Sequence, residues 1–178
     1  MWFSKKANCV FLANQKTGTR SVIGYLMDNY GLRLVGRKEH GARIPKRYEN
    51  RFSFTFVRNP YERTVSLWWT RTRLRPQSRR FGMGLEDWIR DVHASQLKFV
   101  NVDRVCRFEN FEEEIMSLPF YVPGTVIPHK NPSRRKRRTK AGGLVKPMPP
   151  YEQLLTPKIK ELIAERYEED FRVLGYET

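Results

Sequence analysis

Residues 14–21 read Asn-Gln-Lys-Thr-Gly-Thr-Arg-Ser, so Lys16, Thr17, Gly18, Thr19, Arg20 and Ser21 crowd two cations, three hydroxyls and a glycine into one short stretch. That combination suits an oxyanion. A lysine supplies charge, hydroxyls supply hydrogen-bond donors, and a glycine lets the backbone approach the ligand. The apolar run Cys9-Val10-Phe11-Leu12-Ala13 precedes it, and Val22-Ile23-Gly24-Tyr25-Leu26-Met27 follows. The pattern predicts a strand, a polar turn and a helix start. The first amides of a helix carry unpaired N–H groups and partial positive charge, which is where phosphate groups settle. An ordinary strand-to-helix turn would share much of this pattern, so the stretch needs a second signal.

Phe52-Ser53-Phe54-Thr55-Phe56-Val57-Arg58-Asn59-Pro60 provides it. The aromatic and β-branched residues predict a buried strand. Pro60 predicts a helix start, since its missing N–H costs nothing in the first turn. Arg58 then stands at the strand's C-terminal end, and Ser66 lies about two turns into the helix, on a face that could look back toward that end. A magnesium-dependent phosphotransferase usually places a carboxylate at such a strand end. A guanidinium there binds phosphate directly.

The order of residues narrows the chemistry. A Walker-type loop places its lysine after the last glycine. Here Lys16 precedes Gly18. The first stretch instead resembles the 5′-phosphosulfate loop of sulfotransferases, usually Pro-Lys-Thr-Gly-Thr-Thr-Ser. Lys16, Thr17, Gly18, Thr19 and Ser21 match, Gln15 replaces the proline and Arg20 replaces the second threonine. The second stretch resembles the family's 3′-phosphate motif, an arginine followed eight residues later by a serine. Residues 103–112 are similar to its Arg-Phe-Glu-Asn-Leu-Glu block, and residues 127–133 to its Pro-His-x-Asn-x-Ser segment. The chain therefore resembles sulfotransferases of the carbohydrate type along nearly its whole length.

The resemblance implies a three-layer, P-loop-like α/β fold with a central, mainly parallel sheet flanked by helices. Alternating strand and helix patterns point to that class independently. The resemblance also implies 3′-phosphoadenosine 5′-phosphosulfate (PAPS) as sulfuryl donor, with no metal, and an acceptor on an anionic or neutral glycan. Lys16, Thr17, Gly18, Thr19, Arg20 and Ser21 would hold the 5′ side of the donor, and Arg58 with Ser66 its 3′-phosphate. The acceptor needs a base. His40 follows the apolar segment Leu32-Arg33-Leu34-Val35, at the sheet edge where open α/β folds bind ligands, and Glu39 competes with it. His93, in a predicted helix over residues 85–95, reads as structural. His129 reads as positional.

With 34 Lys and Arg against 19 Asp and Glu, the net charge is +15. Much of the excess lies in residues 129–147, a Pro/Gly-containing basic loop that includes Arg134 and Arg135. This loop is expected to act as a lid on the donor phosphates, with Arg134 and Arg135 touching them, or as a grip on a polyanionic acceptor. The 178 residues predict one domain. No apolar run approaches the ~20 residues of a membrane helix, and the first residues lack a signal peptide's apolar core, so a cytoplasmic protein without a membrane anchor is expected. Cys9 and Cys106 are expected to be buried thiols, and Trp68, Trp69 and Trp88 to pack in the core rather than line a sugar groove. Two other functions fit parts of the sequence: a P-loop phosphotransferase, and a non-enzymatic protein that binds nucleic acid or another polyanion through charge.

Overall fold

The computed structural model describes residues 1–73, 77–128, 137–138, 144–145 and 147–178. His129, Arg134 and Arg135 lie outside the described residues. The chain is α/β, with a five-stranded mixed sheet flanked by helices. Its residues divide into two compact units, one formed by Met1–Arg58 and Gln96–Asn131, the other by Asn59–Ser95 and Pro132–Thr178.

The first unit holds the sheet. Its strands are β1 (Trp2–Ser4), β2 (Cys9–Leu12), β3 (Arg33–Leu34), β4 (Phe52–Val57) and β5 (Arg104–Arg107), in the order β3-β1-β2-β4-β5. β2, β4 and β5 run parallel, whereas β1 is antiparallel to both β2 and β3. The expected mainly parallel sheet is thus a mixed one. The physical reason is the short turn between β1 and β2, which allows only a hairpin; a parallel pair needs a crossover of a dozen residues or more. Side chains alternate across the sheet. Cys9, Phe11, Phe54, Phe56 and Cys106 enter one core together with residues of α1 (Thr19–Tyr30) and α4 (Phe111–Met116), the first and fourth helices of the chain. Val10 and Leu12 point the other way, into a cluster with Phe99. Both cysteines are buried and unpaired with each other, and burial pushes each thiol up to about 12.

Glycines mark both ends of α1. Gly18 is its N-cap at φ +72°, and Gly31 closes it at φ +60°. Gly31 N–H and Leu32 N–H bond back to Met27 and Leu26 carbonyls, the geometry of a left-handed C-cap.

The second unit is mainly helical. It contains α2 (Pro60–Arg73), α3 (Leu85–Asp91), α5 (Tyr151–Leu154), α6 (Pro157–Arg166) and α7 (Glu168–Leu174), with a two-residue ladder between β6 (Arg137–Arg138) and β7 (Leu144–Val145). Trp68 and Trp88 are buried in its core with Ile89, Ile163, Tyr167 and Phe171, while Trp69 packs against that cluster half-buried. Thr156 before Pro157, followed by Ile159, Leu162, Ile163, Tyr167 and Phe171 at helical spacing, predicts one capped final helix. Thr156 does cap α6 by accepting from Ile159 N–H, and Pro157 opens it, but the helix is two, broken at Tyr167. α3 ends at Asp91, short of the predicted span, which leaves His93 exposed beyond its end with its ring 5.4 Å from that of Tyr167.

Candidate active site

The loop that leaves β2 is shaped by its own polar groups. The Asn14 carbonyl accepts from the hydroxyls of Thr17, at 3.1 Å, and Thr19. A hydroxyl has one proton, so in this arrangement those of Thr17 and Thr19 are turned inward. Both threonines are buried and act as struts of the turn. Their hydroxyls, expected as donors to a ligand, are engaged within the turn in this structure. Lys16 sits between these struts at φ +68°. A lysine in the left-handed region is sterically costly, by roughly 1–2 kcal/mol, and such strain clusters at functional sites. No side chain caps α1, so its N-terminal dipole is not offset by a local carboxylate or hydroxyl cap. Ser21 is buried in the first turn, where its N–H donates to the Gly18 carbonyl at 2.8 Å.

Arg58 follows β4 directly and is 7% exposed. Its guanidinium lies 4.7 Å from the centre of the Phe108 ring, and its Nη1 approaches the Lys16 carbonyl at 3.5 Å. The two motifs recognised in the sequence, 42 residues apart, therefore meet at the backbone of Lys16. Phe108 joins them. A Cβ built on Gly18 would come within 2.7 Å of the Phe108 ring and 3.1 Å of Phe111. Gly18→Ala is accordingly expected to destabilise the protein by about 2–5 kcal/mol, from the left-handed backbone and the overpacking together. Chemical denaturation measures this, and a loss of only about 1–2 kcal/mol, the backbone cost alone, would mean that the ring moves aside freely.

His40 lies in the turn after β3. Its Nδ1 is 2.6 Å from the carbonyl oxygen of Ala13, the residue between β2 and the loop. A carbonyl only accepts, so Nδ1 carries a hydrogen. In the neutral ring Nε2 then keeps its lone pair, the form a general base requires. The neighbouring Glu39 instead faces Arg20, at 3.9 Å, and the Arg20 side chain is exposed. Arg20 thus points to Glu39 across the surface, while its backbone belongs to the first turn of α1.

The structure brings Lys16, Thr17, Gly18, Thr19, Arg20, Ser21, His40 and Arg58 into the first unit. Ser66 belongs to the second, where it is buried in α2 and its carbonyl accepts from the Thr70 hydroxyl. Its pairing with Arg58 rests on sequence spacing. Sequence reasoning passes over Asn14, Gln96 and Phe108. Asn14 flanks the motif, Phe108 sits in the block at 103–112, to which the sequence assigns no site residue, and Gln96 stands in no motif. Only a fold that returns residue 96 to the end of β4 reveals it.

Among the described residues no group of His, Cys, Asp and Glu is arranged to hold a metal ion, and no helix is long and apolar enough to cross a membrane. Comparison of the chain with family models, curated proteins and solved structures returns no match.

Proposed function

We propose that the protein is a sulfotransferase that moves a sulfuryl group from PAPS to a hydroxyl or amine, with a carbohydrate as the acceptor class. The observation that carries this reading is the meeting of Arg58 with Lys16 beside an uncapped helix N-terminus. The sequence resemblance assigns these two cations to the same donor nucleotide, and their proximity is what that assignment requires. Gly18 is needed where it stands, because the Phe108 ring fills the space that a side chain would take.

The chemistry follows from these groups. The acceptor oxygen forms a bond to sulfur while the bond from sulfur to the bridging phosphate oxygen breaks. The electron pair goes to that bridging oxygen. Lys16 and the N-terminal end of α1 stabilise the charge that develops there. The acceptor's proton passes to Nε2 of His40, or to Glu39, and adenosine 3′,5′-bisphosphate leaves. Arg58 holds the 3′-phosphate, so it acts on donor affinity.

Thermal unfolding with nucleotides tests the reading. Adenosine 3′,5′-bisphosphate at a hundred times its dissociation constant is expected to stabilise the chain by about 2.7 kcal/mol without magnesium. Arg58→Ala is expected to weaken that binding by roughly 1.5–3 kcal/mol, as loss of a hydrogen bond to a charged group does. An analogue lacking the 3′-phosphate should bind both forms alike. Stabilisation by ATP with magnesium, and none by the bisphosphate, would point to a phosphotransferase instead. Stabilisation by neither would leave the basic charge as a polyanion-binding feature.

A further inference from the structure

We propose that Gln96 is the positioning residue of Arg58. Its carboxamide grips the peptide groups of that arginine on both sides. Oε1 accepts from Arg58 N–H at 3.0 Å, and Nε2 donates to the Arg58 carbonyl at 2.7 Å. The same Oε1 accepts from Nδ2 of Asn14 at 3.2 Å, and Nδ2 also donates to the Phe56 carbonyl at 3.1 Å. The orientation of the amide is dictated by these partners: an N–H needs an oxygen, and a carbonyl needs an NH2. A flipped carboxamide would oppose donor to donor and acceptor to acceptor.

The placement gives the contact its consequence. Gln96 and Asn14 are fully buried. Asn14 begins the Lys16 loop and Arg58 ends β4, so one side chain sets the spacing between the two strand ends from which both cations project. The chain leaves the first unit at Arg58 and re-enters it at Gln96. The Gln96 amide therefore closes the stem of that 38-residue separation at the point where the arginine must be held. Arg58 is fixed at its backbone by Gln96 and at its guanidinium by Phe108. A buried amide pairing of this kind orients a charged side chain without touching the ligand.

For its ligand the inference rests on the sulfotransferase reading; for the contact it does not. The test uses the full chain. Gln96→Met keeps the length of the side chain and deletes its polar end. It is expected to speed hydrogen exchange at the Arg58 amide and to weaken adenosine 3′,5′-bisphosphate about tenfold. In an Arg58→Ala background the same substitution is expected to change affinity less than about twofold, because the group it positions is gone. Gln96→Glu keeps an acceptor for Arg58 N–H and Asn14 but, when ionised, sets its second oxygen against the Arg58 carbonyl, so it is expected to lose affinity as Gln96→Met does at neutral pH and to regain part of it at acid pH, where the protonated carboxyl can donate to that carbonyl. It also decides the matter if the methionine variant does not fold. Equal losses of affinity with and without Arg58 would assign Gln96 to the fold alone and overturn the proposal. So would an Arg58 amide that exchanges no faster in either variant. A wild-type chain that binds no bisphosphate would sink the sulfotransferase reading; the proposal would then be overturned as well if Arg58 exchange is unchanged, and upheld as a positioning contact if it quickens.

Discussion

Lys16→Ala is expected to lower sulfuryl transfer by about 10²–10³-fold, the loss typical of removing one preorganised donor from a developing oxyanion. Binding of adenosine 3′,5′-bisphosphate should weaken less, because the charge in question exists in full only as the bond to sulfur breaks. The backbone supplies an internal control. Lys16 holds φ +68°, a conformation that glycine adopts at no steric cost. Lys16→Gly removes about 1–2 kcal/mol of left-handed strain and concedes about 0.4–1 kcal/mol of extra freedom in the unfolded chain. The glycine variant is thus expected to be as stable as wild type or up to about 1.6 kcal/mol more so, while turning over as poorly as the alanine variant. Denaturation curves and steady-state rates measured on the same preparations separate the two effects. A stable Lys16→Gly variant with wild-type turnover would remove Lys16 from the chemistry.

The strained lysine also shows what the sequence could and could not reveal. The strand β2 was legible because it is buried on both faces and reads as a continuous apolar run, and β4 because Phe52, Phe54 and Phe56 alternate with Ser53 and Thr55 before Val57. Their ends were therefore legible too, and with them the positions of Lys16 and Arg58. Pro60 and Thr156 announced the helices behind them through cap chemistry alone. The β1 hairpin was not legible, since three residues beside a lysine-rich turn carry too little periodicity to mark a strand. Nor was the break at Tyr167. The apolar positions Ile159, Ile163, Tyr167 and Phe171 keep one helical phase straight through it, and a hydrophobic period cannot register a local backbone turn. At the site, residue types foretold charge but not hydrogen-bond direction. Thr17 and Thr19 read as donors to a ligand, and only the structure shows both hydroxyls donating to the Asn14 carbonyl. The Gln96 contact depends on residues 38 apart, and no local pattern encodes it.

Substitution at His40 can distinguish a base from an anchor, because its two ring nitrogens have separate tasks. Nδ1 donates to the Ala13 carbonyl and so steadies the start of the Lys16 loop; Nε2 is the candidate base. Asparagine places an NH2 near the position of Nδ1 and nothing basic near Nε2. His40→Asn is therefore expected to keep the loop, the fold and the bisphosphate affinity close to wild type, while turnover falls about 10²–10⁴-fold, as loss of a general base typically does. His40→Ala should lose the same turnover and some nucleotide affinity besides, since it gives up the Ala13 contact. Glu39 supplies the counter-test. It lies 3.9 Å from Arg20, and Glu39→Gln keeps its shape while removing its charge. If Glu39→Gln is the inactive variant and His40→Asn turns over normally, the proton goes to the carboxylate and His40 serves only to hold the strand end. If both are impaired, and Glu39→Gln loses bisphosphate affinity where His40→Asn keeps it, the imidazole is the base and Glu39 acts by keeping Arg20 beside the first turn of α1.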